Sequence, residues 1–350
     1  MTREVTFADV MGVLDGKSDI DCSNKGLTTL DGCPEKVRGD FNCSGNKLTT
    51  LDGSPKKIKG DFNCSGNQLI SLEGGPEEVK GDFDCSDNKL ISLAGCPAFI
   101  MGDFCCSGNQ LSLFKGEIVV HTTTVIAACP DIVEGDFNCS GNLISSLEGA
   151  PLIVGGDFNC SKNQLTTLLG APKKVQGDFD CSANQLDSLA GSPDDIRGNF
   201  SCSGNQLASL KGGPREVYRT FDCSGNHLTT LKGAPRRAGT FDCSSNKLTS
   251  LKGASQGVDA LNCSNNQLIS LKWAPEKVKG NFDCAWNQLV TLDGAPKKVK
   301  GNFDCSGNLL TTLEGSLKKV SGDFICREND QLFHEEEVRA LVNLKGNCFL

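Results

Sequence analysis

Apolar and polar residues alternate in short bursts along this chain, and the bursts recur. The segment Gly39–Pro76, GDFNCSGNKLTTLDGSPKKIKGDFNCSGNQLISLEGGP, contains the same burst twice. In D-F-x-C-S the apolar residues fall at every second position, the period of a half-buried strand. Phe and Cys then point inward, and the residues between them point outward. Two Leu follow, five and eight residues after the Cys, and a Val or Ile stands three residues after a Pro; Leu69, Leu72 and Ile58 are examples. Gly and Pro at fixed offsets mark turns, because Gly tolerates positive φ and Pro fixes φ. Aligned on its Cys, the burst occurs fifteen times, from Cys22 to Cys326. Most spacings are 21 residues; Cys223 to Cys243 and Cys243 to Cys263 are 20, and Cys106 to Cys139 is 33. One unit has too few apolar residues to bury them alone, whereas a stack of units makes a continuous core.

The segment F-x-C-S-x-N-x-L-x-x-L resembles the leucine-rich-repeat core L-x-L-x-x-N-x-L, with Phe and Cys in the first two Leu places. The Pro before the strand and the 20–21-residue spacing resemble the short bacterial subclass found in secreted effectors. Similar arrays occur in bacterial and phage proteins. Fourteen successive units, from Asn46 to Asn329, carry Asn three residues after the Cys, and the resemblance runs from about Asp19 to Leu332. It implies a leucine-rich-repeat solenoid: a right-handed curved coil with a concave parallel β-sheet, a mostly irregular convex side and short helical caps at both ends. It also implies that the Asn residues form a ladder. The chemistry agrees, since buried backbone groups need partners and an Asn side chain both donates and accepts. The domain reading is an N-terminal cap over 1–18, the array over 19–332 with an inserted loop at about 113–126, and a C-terminal helical cap over 333–350.

Departures from the repeat refine this. The first unit, CSNKGL, has Lys25 at the Asn place, as a terminal unit would. The two 20-residue units are one residue short before the strand, so curvature is expected to change near 235–262. In FADVMGVLDG, Phe7, Val10, Met11, Val13 and Leu14 are spaced to cover the first open edge. HEEEVRALVNLKG predicts a helix near 335–345 that stops at Gly346 and covers the last edge with Val338, Leu341, Val342 and Leu344.

Composition and charge narrow the chemistry. The chain has 350 residues, a net charge of −8, twenty Cys and three His. Its start has no basic stretch followed by an apolar core, and no run approaches the ~18 apolar residues of a membrane span. A cytoplasmic chain is the expectation, with its Cys as thiols. One Cys per turn makes a row, not the convergent tetrahedron that zinc needs. Stacked strands ~4.8 Å apart also exceed the Cβ separation of about 3.5–4.5 Å that a disulfide prefers. Cys105, at an outward place, is the candidate reactive thiol. His121, His227 and His334 are far apart in the array, so no Ser–His–Asp or Cys–His arrangement is arguable. The effector subclass's ubiquitin-ligase domain would need a large C-terminal extension, and only about 18 residues follow Leu332. No catalytic activity, cofactor, metal or small-molecule substrate is expected.

Function should then sit on outward columns and on breaks in the pattern. The residues flanking Phe are largely acidic or Asn; Asp82, Asp84, Asp178 and Asp180 are examples, while the Pro-x-x-V segments are basic. The plain reading is solubility, with some Asp bonding turn amides. The sharper ones are a face for a basic protein, an imitation of the phosphate rows of DNA, and Ca²⁺ binding by paired Asp, which the absence of a loop gathering six to eight oxygens disfavours. The insertion brings Phe114, Ile118 and His121, and its β-branched run suggests a hairpin. The only two Trp, Trp273 and Trp286, replace small consensus residues, and Tyr218 is also at an outward place. Lys211, Lys232, Lys252 and Lys272 share one offset in four successive units. The preferred reading is a non-catalytic protein-binding module. By resemblance to phage and bacterial arrays, its partner is a host or defence protein that it sequesters. Two other readings stand beside it: an acidic DNA mimic or nucleic-acid-associated protein, with direct nucleic-acid binding disfavoured by net charge, and a self-associating scaffold.

Overall fold

The computed structural model describes residues 4–97, 100–114, 116–120, 123–127, 129–315 and 317–350. It divides into two bodies, Met1–Asp178 and Phe179–Leu350. Each is a stretch of parallel β-solenoid. In the first body, two-residue strands at the F-x place form one ladder, from Ile20–Asp21 through Phe41–Asn42 and Phe62–Asn63 to Phe158–Asn159. Phe lies in register over Phe. The pairing Phe104↔Phe137 keeps that register across the insertion. A second ladder runs through the Pro-x-x-V segments, for example Lys36–Val37, Lys57–Ile58 and Glu78–Val79. The second body repeats the plan from Phe179–Asp180 to Phe324–Ile325.

The core follows the predicted spacing. Cys43, Leu48, Leu51, Ile58 and Phe62 are fully or almost fully buried, as are their counterparts in most other units; in the last unit Leu332 is exposed and Phe333 is buried instead. Successive Phe rings stack, with centroids 6.1 Å apart for Phe41–Phe62 and 5.5 Å for Phe200–Phe221, whose planes differ by only 5°. The short units behave distinctively. Where one residue is missing between Pro-x-x-V and the Phe strand, the corner disappears and the two ladders fuse into single strands, Arg237–Asp242 and Gly257–Asn262.

The ends differ from expectation in detail. The N-terminal helix is Phe7–Met11, opened by a capping box between Thr6 and Asp9. Only Phe7 is fully buried, stacked 6.2 Å from Phe41, while Val13 is almost wholly exposed. At the other end the helix is Glu335–Leu341, shorter than the spacing suggested. The chain then continues as Asn343–Leu344 and Cys348–Phe349, which extend both ladders by one turn. Val338 and Val342 are buried there, and Leu341 is not. The inserted segment contains the expected hairpin, Gly116–Val120 paired antiparallel with Thr123–Ala127. No helix of the described residues is long and apolar enough to cross a membrane.

Candidate protein-binding faces

Two acidic columns flank the Phe strand, and they do different work. The carboxylate before Phe is tied into the fold. Asp82 Oδ1 accepts the Asp103 amide at 2.8 Å, and Asp61 holds Asp82 in the same way. Asp178 donates its own amide to Asp157 at 2.7 Å. The preceding Gly of each G-D pair is there for space, because a Cβ on Gly102 would collide with Asp82 Oδ1. The second column, after Phe, makes only a local bond. Asp84 Oδ1 accepts the Ser86 amide and Asp180 Oδ1 the Ser182 amide, both at 2.9 Å. Asn42 and Asn63 do the same where they replace Asp. One oxygen of each carboxylate thus closes a turn; the second oxygen of Asp242 also accepts from Asn262 Nδ2 at 3.0 Å.

In the second body the outer column includes Asp222, Asp242, Asp283 and Asp304, all half-buried. Burial raises the carboxyl pKa of Asp283 above the ordinary value, and the neighbouring Asp304 and Asp242 push the same way. Ionised Asp283 therefore opposes folding at pH values above its raised pKa, and that opposition is gone below the ordinary carboxylate value. Asp283→Asn keeps the acceptor for the Ala285 amide. It should raise the melting temperature at pH 7 and leave it unchanged near pH 3; an unchanged value at pH 7 would show the column carries no strain.

The Cys row is chemically quiet. Cys202 Sγ reaches the Asp222 carbonyl at 3.4 Å and Cys223 Sγ the Asp242 carbonyl at 3.1 Å. Burial pushes the Cys22 thiol up to about 12 and also holds its fully buried counterparts well above the ordinary thiol value. Cys105 lies outside the row, half-buried, 3.2 Å from Ser107 Oγ. Among the described residues no group of His, Cys, Asp or Glu is placed to hold a metal.

Asn supplies the rungs between turns. Asn67 Nδ2 donates to the carbonyls of Cys43 and Cys64 at 3.0 and 3.1 Å, and its Oδ1 accepts the Leu48 amide at 3.0 Å. Asn46 repeats the pattern one turn earlier, and Asn205 does so in the second body. The model is similar to the leucine-rich effector protein YopM from Yersinia pestis, with a TM-score of 0.56 and 19% identity over 94% of this chain and 88% of that one. It is also similar to the APL1 leucine-rich repeat domain, with a TM-score of 0.56 and 15% identity over 93% and 89%. The fold is a leucine-rich-repeat solenoid. No protein-family model and no curated protein matches the sequence.

On this leucine-rich-repeat frame the remaining candidate residues fall apart into separate places. Phe114 is a correction: it is fully buried, with its ring 5.8 Å from Phe137, and cannot meet a partner. It stands eight residues after Cys106, in the place of the second Leu. His121 lies outside the described residues; Ile118 sits on the first strand of the hairpin. Tyr218 is about half exposed, and Lys232 and Lys252 are exposed.

Trp273 and Trp286 are each 52% exposed, but they occupy different turns of the repeat. Trp273 precedes the Pro segment, with the Lys272 ammonium 5.7 Å from its ring centre. Trp286 follows the Phe strand. Both have left-handed backbone, with φ of 79° and 55°; other units use Gly at the Trp273 place, whereas at the Trp286 place some use Gly and others a left-handed residue such as Asp87, Lys162 or Asn265. The Trp286 ring lies against Gly307, the matching left-handed residue of the next unit; a Cβ there would come within 2.6 Å of the ring. Ile269, Val290 and Leu309, all substantially exposed, belong to the segment after that turn in this and the flanking units.

Proposed function

We propose that this chain is a non-catalytic protein-binding module, and that it binds through the strand face of its second body with Trp286 at the margin. One observation carries the reading. Trp286 sets a bulky side chain on a left-handed backbone and leaves half of it in solvent. Other units also put a non-glycine residue such as Asp87 or Lys162 on this left-handed turn, so what sets Trp286 apart is the size and exposure of its ring rather than backbone strain. Exposed Trp is also among the residues most enriched at binding hot spots. Beside it, the half-buried carboxylates of Asp222, Asp242, Asp283 and Asp304 share one column and favour a basic partner, which would relieve their mutual repulsion. The two solenoids to which the fold is similar, a leucine-rich effector and the APL1 repeat domain, are compatible with a binding role. The finer reading is sequestration of a bacterial host or defence protein, in line with the resemblance to bacterial and phage arrays.

The test separates stability from binding. Trp286→Gly installs a residue that several other units carry at this left-handed turn, so its melting temperature should stay close to that of the natural chain. Its capture of a partner from bacterial lysate should nevertheless be lost. Replacing the four Asp by Asn keeps every turn acceptor and should weaken capture and flatten its salt dependence. Full capture by both variants would remove the reading. Capture of a nucleic-acid-binding protein, lost with the Asn set and kept with Trp286→Gly, would favour DNA mimicry instead.

A further inference from the structure

A second surface of the second body has the opposite charge, and its geometry is specific. Along the Pro-x-x-V ladder, the residue before the buried Val points outward. In the first body Lys36 also faces Lys57 in register, but that pair is ended by Glu78, which faces Lys57 on the next strand and pairs with it at 3.5 Å. From residue 277 onward the pattern changes. Lys277, Lys298 and Lys319 face one another in register on successive strands. Strands lie ~4.8 Å apart, and like charges placed directly opposite are destabilising. Lys279 and Lys300 follow two residues after Lys277 and Lys298, adding to the same side.

Next to this row the column has a gap. Position 257 is Gly, between Arg237 and Lys277 in the same column. Its backbone is not left-handed, and a Cβ there would meet nothing nearer than the Arg236 carbonyl at 3.6 Å. A side chain would therefore fit without strain, and its absence opens a notch of about 500 Å³ lined by Arg237, Lys277, Lys279, Lys298 and Lys300. One carboxylate, Asp259, also lines it, and it is engaged by Lys279 at 2.9 Å. The nearby Glu276 is held by Lys297 at 2.8 Å. Four cationic side chains of the notch have no ion pair among the described residues.

We infer that this notch is a binding site for linked phosphate groups. A single small anion would engage one or two of these cations. The row instead continues along successive strands past the notch to Lys319, which suits a linear chain of phosphates. Such a chain would relieve the repulsion among Lys277, Lys298 and Lys319, and the open space at Gly257 admits it close to Val258. This chemistry is shared by inorganic polyphosphate and by the backbone of single-stranded nucleic acid. The net charge of −8 does not oppose it locally, because screening confines the acidic strand face's influence to about 10 Å at ordinary ionic strength.

The experiment is calorimetric titration of the full chain with inorganic tripolyphosphate and, separately, with a short single-stranded oligothymidine, at several salt concentrations. Lys277→Gln/Lys298→Gln should lower affinity by about tenfold or more and reduce the salt slope by about two, one per phosphate contact removed. Gly257→Glu, which places a carboxylate in the notch, should abolish binding, so the test survives if the double variant fails to fold. Lys36→Gln/Lys57→Gln, in the same column of the first body, should change nothing. Binding of tripolyphosphate alone, lost in the variants, identifies free polyphosphate as the source. Binding of the oligothymidine, lost in the variants, identifies a nucleic-acid backbone. Failure of the natural chain to bind either probe, or binding unaffected by both notch variants, overturns the inference.

Discussion

Asn205→Ala is expected to cost about 3–6 kcal/mol, a large share of a stability that is typically about 5–15 kcal/mol. The side chain is 5% exposed, so water cannot replace what it provides. Its Oδ1 accepts the Leu186 amide at 2.9 Å, and its Nδ2 donates to the carbonyls of Cys181 and Cys202 at 3.1 and 3.0 Å. Removing it strands three buried backbone groups at about 1–3 kcal/mol each, although some of that loss is recovered by local relaxation. Because repeats interact with their neighbours only, the damage should be local. Urea denaturation would measure the loss, and amide hydrogen exchange should show it concentrated in the units on either side of residue 205. Asn205→Asp keeps the acceptor but turns a carboxylate toward two carbonyls, so it should be no milder at pH 7. A loss below about 1 kcal/mol for the Ala variant would mean that the rung is ornamental.

Phe221→Ala is expected to destabilise by about 3–5 kcal/mol, the range for emptying a buried aromatic site. Its ring is fully buried and lies 5.5 Å from both Phe200 and Phe241. The stack thus loses two ring contacts and gains a cavity that the rigid ladders on either side cannot close. Phe221→Leu should be much milder, because the chain already uses Leu261 at this place, also buried. Chemical denaturation of both variants would check the contrast. Equal losses would show that ring stacking and shape, rather than volume, are what this site requires.

Much of this molecule was legible in its sequence because the same physical demand is repeated in every unit. Period-two alternation placed Phe and Cys inside, and Leu at five and eight residues after Cys filled the rest. The Asn ladder followed from one side chain that both donates and accepts beside a turn that needs both. What eluded the pattern were cases where one residue answers to a neighbour in the next unit. Phe114 looked like an exposed aromatic in an insertion, yet counting eight residues from Cys106 assigns it to the core. The Asp before Phe read as surface charge, although its constant pairing with a preceding Gly was the visible trace of a carboxylate packed against backbone. The notch at Gly257 was present as a single missing side chain in an otherwise filled column. Only the pairing of that column across strands made its meaning plain.

The insertion illustrates a wider property of the ladders. The Asp136 amide reaches Asp103 Oδ1 at 2.7 Å across 33 residues, while the Asp61 amide reaches Asp40 Oδ1 at 2.9 Å across 21. Asn142 likewise reaches back to the Cys106 carbonyl at 3.0 Å. The scaffold counts turns, not residues. Whatever is spliced between Phe114 and Cys129 is invisible to the rungs above and below it, so this position is a natural cassette. The frame keeps its register across this segment, so its length is set independently of the turns that flank it.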